Sequence, residues 1–91
     1  MRFEFKPSFE DSIKKLSSEE KENIKLVAIQ TIDILSQSTL VKKGMGLKRL
    51  KDDFWEIRCG IKMRIIFRWS GDLIEFILAG SHDKIKIYLK T

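Results

Sequence analysis

The chain has 91 residues, 43% hydrophobic and 34% charged, with 18 Lys and Arg against 13 Asp and Glu for a formal net charge of +5. That length and balance describe one folded domain (residues 1–91) with a single core, and they exclude a disordered chain. One cysteine excludes an internal disulfide or a cysteine-based zinc cluster, so no metal or cofactor is foreseen. No run is apolar enough to span a bilayer and the N-terminus has no apolar leader core, so no membrane partner and a cytoplasmic location are expected. The positive balance favours an anionic partner without choosing one.

In chain order, Met1, Phe3 and Phe5 alternate with Arg2 and Glu4, which predicts a short strand ending at Pro7. Phe9, Ile13 and Leu16 recur at helical spacing, predicting a helix over Ser8–Leu16 capped by Ser8. Ser17 and Glu20 form a capping-box pattern opening a second helix, whose stripe is Ile24, Val27, Ala28, Thr31, Ile32 and Leu35. Ser36–Gly46 reads as a loop. It runs into a wholly basic segment, Lys42, Lys43, Lys48, Arg49 and Lys51, where Leu47 and Leu50 suggest a single helical turn tacked to the core.

From Phe54 to His82 three strands follow with tight turns. Trp55, Ile57 and Cys59, then Met63, Ile65, Phe67 and Trp69, then Ile74, Phe76 and Leu78 are the apolar sets. Glu56, Arg58, Lys62, Arg64, Arg68 and Glu75 oppose them. The expectation is an α+β fold: a small antiparallel sheet, the N-terminal strand plus a three-stranded meander, packed by one face on a helical hairpin, with the other face basic. Cys59, Trp55 and Trp69 belong to the core side. Residues 83–90 read equally as a last strand or a terminal helix.

A tight turn at Ser70-Gly71-Asp72 sets Arg68 opposite Glu75, Phe67 opposite Phe76, Arg64 opposite Ala79 and Lys62 near Ser81. A tight turn at Gly60 sets Arg58 beside Lys62 and Glu56 beside Arg64. Arg58, Lys62 and Arg64 then share the end of the sheet where His82, the one histidine, emerges. Such a corner has what metal-free RNA cleavage requires. Arginines hold a phosphate and its developing charge, an imidazole exchanges a proton, and a basic segment tracks the backbone. Glu56 would orient an arginine or act as a base. The same residues also fit ordinary roles: Glu56–Arg64 and Arg68–Glu75 as cross-strand ion pairs, the latter especially, and His82 as a turn residue.

The order of elements, with Gly46-Leu47-Lys48-Arg49-Leu50-Lys51, Phe54-Trp55-Glu56-Ile57-Arg58, Lys62-Met63-Arg64-Ile65-Ile66-Phe67-Arg68 and Ala79-Gly80-Ser81-His82-Asp83-Lys84, resembles the RelE/ParE superfamily of toxin–antitoxin toxins. The resemblance implies a toxin that cleaves mRNA on the ribosome and inhibits translation, neutralised by a cognate antitoxin. His82, Arg64 and Arg58 match the catalytic positions. Lys48, Arg49, Lys51, Lys62 and Glu56 would serve substrate binding, and Tyr88 stands near the place of a C-terminal aromatic. Two alternatives share the fold: a DNA gyrase inhibitor, and a non-toxic relative that binds an antitoxin.

Overall fold

The computed structural model describes residues 1–36 and 46–90. Strand β1 (Arg2–Phe5) leads into helices α1 (Pro7–Ile13) and α2 (Ser18–Ser36). Strands β2 (Leu47–Lys51), β3 (Phe54–Cys59), β4 (Met63–Ser70) and β5 (Leu73–Ser81) follow, and α3 (His82–Lys90) closes the described chain. The strands form one five-stranded sheet in the order β1-β5-β4-β3-β2. The α+β expectation holds, with one difference in pairing: β1 joins β5 in parallel, so the sheet is mixed. An antiparallel partner follows from a hairpin; between β1 and β5 lie the two helices, which carry the chain to the far edge, and three antiparallel strands that bring it back, so no hairpin sets the direction of this pair.

The first helix starts one residue earlier than its spacing suggests, with Pro7 in its first turn and Lys6 at the N-cap. Ser8 is released from capping and donates its hydroxyl to the Ile77 carbonyl, while the Ala79 N–H donates to Ser12 Oγ at 3.0 Å. Parallel pairing stops at Phe5–Phe76, so these serines satisfy backbone groups of β5 that no strand reaches. The capping box of α2 forms as read: Glu20 N–H donates to Ser17 Oγ at 3.2 Å and Ser17 N–H to Glu20 Oε1 at 3.4 Å.

One face of the sheet buries Ile57, Cys59, Ile65, Phe67, Ile74, Phe76 and Ala79 beneath Phe9 and Ile13 of α1 and Ile24, Ala28 and Leu35 of α2. Trp55 and Trp69 edge this core with ring centroids 5.7 Å apart, as their alternation predicts. The other face is not uniformly basic. Ile66, Leu78 and Ile85 are buried together, flanked by Leu50, Phe54, Ile77 and Leu89, because residues 83–90 fold as a helix that lies across it. The basic segment is also reassigned: residues 47–51 form an edge strand instead of a helical turn, and Lys42 and Lys43 lie outside the described residues.

Two registers depart from expectation. The β3–β4 turn takes three residues, 60–62, with Gly60 at φ +73, so Cys59 faces Met63 and Arg58 faces Arg64; Lys62 sits in the turn itself. The two-residue shift keeps every side chain on its expected face. Between β4 and β5, Arg68–Glu75 and Phe67–Phe76 pair as expected. A bulge beyond them lets Ile66 face Leu78, so that Gly80, not Ala79, lies opposite Arg64, and Met63 opposite Ser81.

Candidate functional site

The bulge and the three-residue turn together create a row across three strands: Arg58 on β3, Arg64 on β4 and Gly80 on β5. On the outer side, the Arg58 N–H donates to the Gly46 carbonyl at 3.2 Å. Gly46 has a structural requirement here. Its φ is +75, and a Cβ on it would lie 2.7 Å from Arg58 Cβ, so a side chain would push the edge of β2 away from the arginine. Two arginines thus stand directly opposite each other between two glycines.

Like charges facing across a ladder are destabilising, and the partial remedy lies one row away. Glu56 is 7% exposed, and its Oε1 is 3.4 Å from Arg64 Nε, a diagonal ion pair that fixes the half-buried Arg64 guanidinium. Glu56 thereby meets Arg64 as the sequence suggests, although Ile66 is its backbone partner. Arg58 is exposed and makes no ion pair among the described residues. A guanidinium held by a carboxylate beside a second one with no ion pair among the described residues has the chemistry to receive an oxyanion such as phosphate.

The remaining residues divide by strand alternation. Lys48 faces Glu56 from β2 and shares the arginines' side. Arg49 does not: it shares the side of Leu47, which packs on the main core, and its Nε donates to the Asp52 carbonyl at 3.1 Å, bracing the β2–β3 turn. The bulge between Arg49 and Lys51 brings Lys51 opposite Phe54. There, where the last turn of α3 meets the sheet, Lys51, Phe54, Tyr88 and Leu89 line a cavity of about 220 Å³. Lys62 is exposed in the turn at the arginine end. A larger groove of about 450 Å³ between α2 and β3, lined by Val27, Ile34 and Ile57 together with Gln30 and Asp33, touches this set through Arg58.

His82 is the first residue of α3, exposed, with no hydrogen bond or ion pair among the described residues. Ser81, its neighbour, pairs with Met63 and caps the helix, its Oγ accepting the Lys84 N–H at 3.2 Å. The histidine is therefore anchored at the arginine end of the sheet by its backbone. Arg68 is set apart, as read from sequence: Nη1 is 3.6 Å from Glu75 Oε1, and Lys6 Nζ is 2.9 Å from Glu75 Oε2. Lys84, which closes the Ala79–Lys84 motif and has no role assigned from sequence, lays its stem over Gly80. The signal was available in principle, since a glycine four residues before a lysine at a strand–helix junction leaves room for it, but it depended on the unseen bulge.

No family model matches the sequence, and no curated protein matches it. Solved structures do. The chain is similar to the E. coli DinJ–YafQ complex at TM-score 0.70 and 16% identity, covering 93% of this chain and 98% of that one. It is similar to the RelB–RelE antitoxin–toxin complex of Methanococcus jannaschii at TM-score 0.66 and 23% identity, covering 92% and 95%. A YoeB/ParE toxin of Agrobacterium tumefaciens gives 0.62 and 20%, covering 90% and 99%. The chain shares its fold with these RelE, YafQ and YoeB/ParE structures, the fold its motifs implied.

Proposed function

We propose that this protein is the toxin of a toxin–antitoxin pair and an endoribonuclease that cuts mRNA on the ribosome. The observation that carries the reading is the facing Arg58–Arg64 pair, an electrostatic liability in the free protein that an RNA phosphate would relieve. In the proposed reaction the 2′-oxygen loses its proton and attacks the adjacent phosphorus. The bond from phosphorus to the 5′-oxygen breaks, leaving a 2′,3′-cyclic phosphate and a 5′-hydroxyl that has gained a proton. Arg64, held by Glu56, and Arg58 take the negative charge; His82 exchanges a proton with one of the two oxygens. Lys48, Lys51 and Lys62 track the flanking phosphates. Arg49 contributes charge at the edge without joining the row.

The site is an open sheet face with few groups to fix a flexible strand, which supports dependence on the ribosome to present the message. Proteins similar in fold were solved as toxin–antitoxin complexes, RelB–RelE and DinJ–YafQ, which supports a cognate antitoxin as partner. The test is induction of wild type, Arg64→Ala and His82→Ala in cells, with primer extension on abundant transcripts. Wild type is expected to arrest growth and leave discrete cuts within coding regions, and both variants to lose about a hundredfold or more of the cleavage. Undiminished cutting by both variants refutes the residue assignment. Arrest without cuts but with loss of DNA supercoiling establishes the gyrase reading instead, and no arrest at all establishes the non-toxic one.

A further inference from the structure

We propose that Lys84 is a third cationic contact for the reacting phosphate, seated by Gly80, and that its charge serves the transition state more than the bound substrate. The inference deepens the nuclease reading above and rests on it. A Cβ on Gly80 would project on the arginine side of the sheet, since Ala79 before it packs into the main core and Arg64 is its cross-strand partner. That space is taken by Lys84: its Cδ would lie 2.9 Å from such a Cβ, and its Cβ and Cγ 3.4 Å. Gly80 is buried although it has no side chain, because the lysine stem roofs it. The stem therefore fills the third place in the row that begins with Arg58 and Arg64.

Two anchors hold it there. The Lys84 N–H is tied to Ser81 Oγ at the end of β5, and Ile85, 2% exposed, fixes the helix's rotation against the sheet. Successive residues are about 100° apart around a helix, so Lys84 flanks the sheet while Asp83 is turned to the side away from Ile85. A lysine in the first turn of a helix is set against the macrodipole, so local helix energetics do not explain it.

Charge explains it better. The row itself carries Arg58, Arg64 and Lys84; Glu56, ion-paired to Arg64 from the next row, offsets one of them and leaves two positive charges in excess there, with Lys48 facing Glu56 from the sheet edge. A phosphodiester carries one negative charge and gains a second as the 2′-oxygen adds to phosphorus. Arg58 with the Arg64–Glu56 pair balances the first charge; Lys84 answers the second. Removing it should lower turnover and leave binding nearly intact.

The experiment is cleavage of ribosome-bound mRNA by wild type, Lys84→Met, Lys84→Arg, Gly80→Ala and the Gly80→Ala/Lys84→Met double variant. Lys84→Met, which keeps an apolar stem, is expected to lower kcat roughly tenfold with KM changed less than about twofold, and Lys84→Arg to recover most of the loss. Gly80→Ala, which displaces the stem, should act in the same direction, and the double variant should be no slower than Lys84→Met. An unchanged kcat in Lys84→Met, or losses that multiply in the double variant, overturns the proposal. If wild type cuts nothing, the nuclease reading fails, and the seat is tested by itself with inorganic phosphate. Saturable shifts of the Gly80 and Lys84 amide resonances in wild type but not in Lys84→Met support it; the same shifts in both, or none in wild type, overturn it.

Discussion

Beneath α1 and α2, Ile65, Phe67, Ile74, Phe76 and Ala79 are fully buried and meet Phe5 and Phe9 in a continuous aromatic and aliphatic core. On the opposite face of the same strands, the apolar burial is a small patch around Ile66, Leu78 and Ile85, and beside it stand Arg58, Arg64, the buried Glu56 and Lys48. Strand alternation lets one backbone carry both arrangements, because successive side chains point to opposite faces. The core face gives the sheet its stability, and the second face keeps a like-charge pair that folding alone would disfavour.

The largest effect should come from the core face. Phe76→Ala removes a fully buried ring that touches Phe5, Phe9 and Phe67, at a cost of about 3–5 kcal/mol, enough to unfold much of a domain of this size. Denaturant unfolding measures it. Ile85→Ala should cost less, about 2 kcal/mol, because the patch beneath α3 is small and can collapse. Hydrogen exchange is expected to show loss of protection in α3 with the strands still protected. Equal loss throughout the sheet would mean that the two faces are one cooperative unit and would break the comparison.

A smaller, pH-dependent effect is expected where β1 meets the second face. Glu75, with Glu4 nearby, holds the Lys6 ammonium above the ordinary lysine value of 10.5. A raised folded value means that the ion pair contributes stability at lower pH and loses it as pH rises through that raised value. Thermal unfolding followed from neutral to strongly alkaline pH should therefore fall more steeply for wild type than for Lys6→Met. Smallest of all is the behaviour of Cys59, whose thiol is pushed up by burial; it should react with a thiol reagent far more slowly in the native protein than after unfolding.

Much of the main core was legible because Trp55, Ile57 and Cys59 alternate cleanly, and so do Met63, Ile65, Phe67 and Trp69. The second patch was signalled by Ile65-Ile66-Phe67, an unbroken apolar run that a strand covered on one face does not need. Its partner was hidden because Ile85, Ile87 and Leu89 satisfy strand alternation as readily as Ile85 and Leu89 satisfy helical spacing. Tertiary packing decided for the helix, leaving Ile87 66% exposed. At the site, residue types and the faces of Glu56, Arg58 and Arg64 were legible, but the move of Leu78 from the expected core set to the second face and the Arg58–Arg64 juxtaposition were not. The juxtaposition depends on a three-residue turn where a tighter one was equally compatible with the pattern, and Gly80 reaches Arg64 through a bulge between Ile66 and Phe67 that leaves no mark in composition.

The most direct test of a second face shaped for an anion is Arg58→Ala, assayed for both stability and cleavage of ribosome-bound mRNA. Alanine keeps the Cβ that packs against Gly46 and removes the like charge opposite Arg64. The unfolding free energy should stay level or rise by up to about 1 kcal/mol, while cleavage falls about a hundredfold. A variant that is destabilised and cuts as well as wild type would show that Arg58 serves the fold, and would contradict the account.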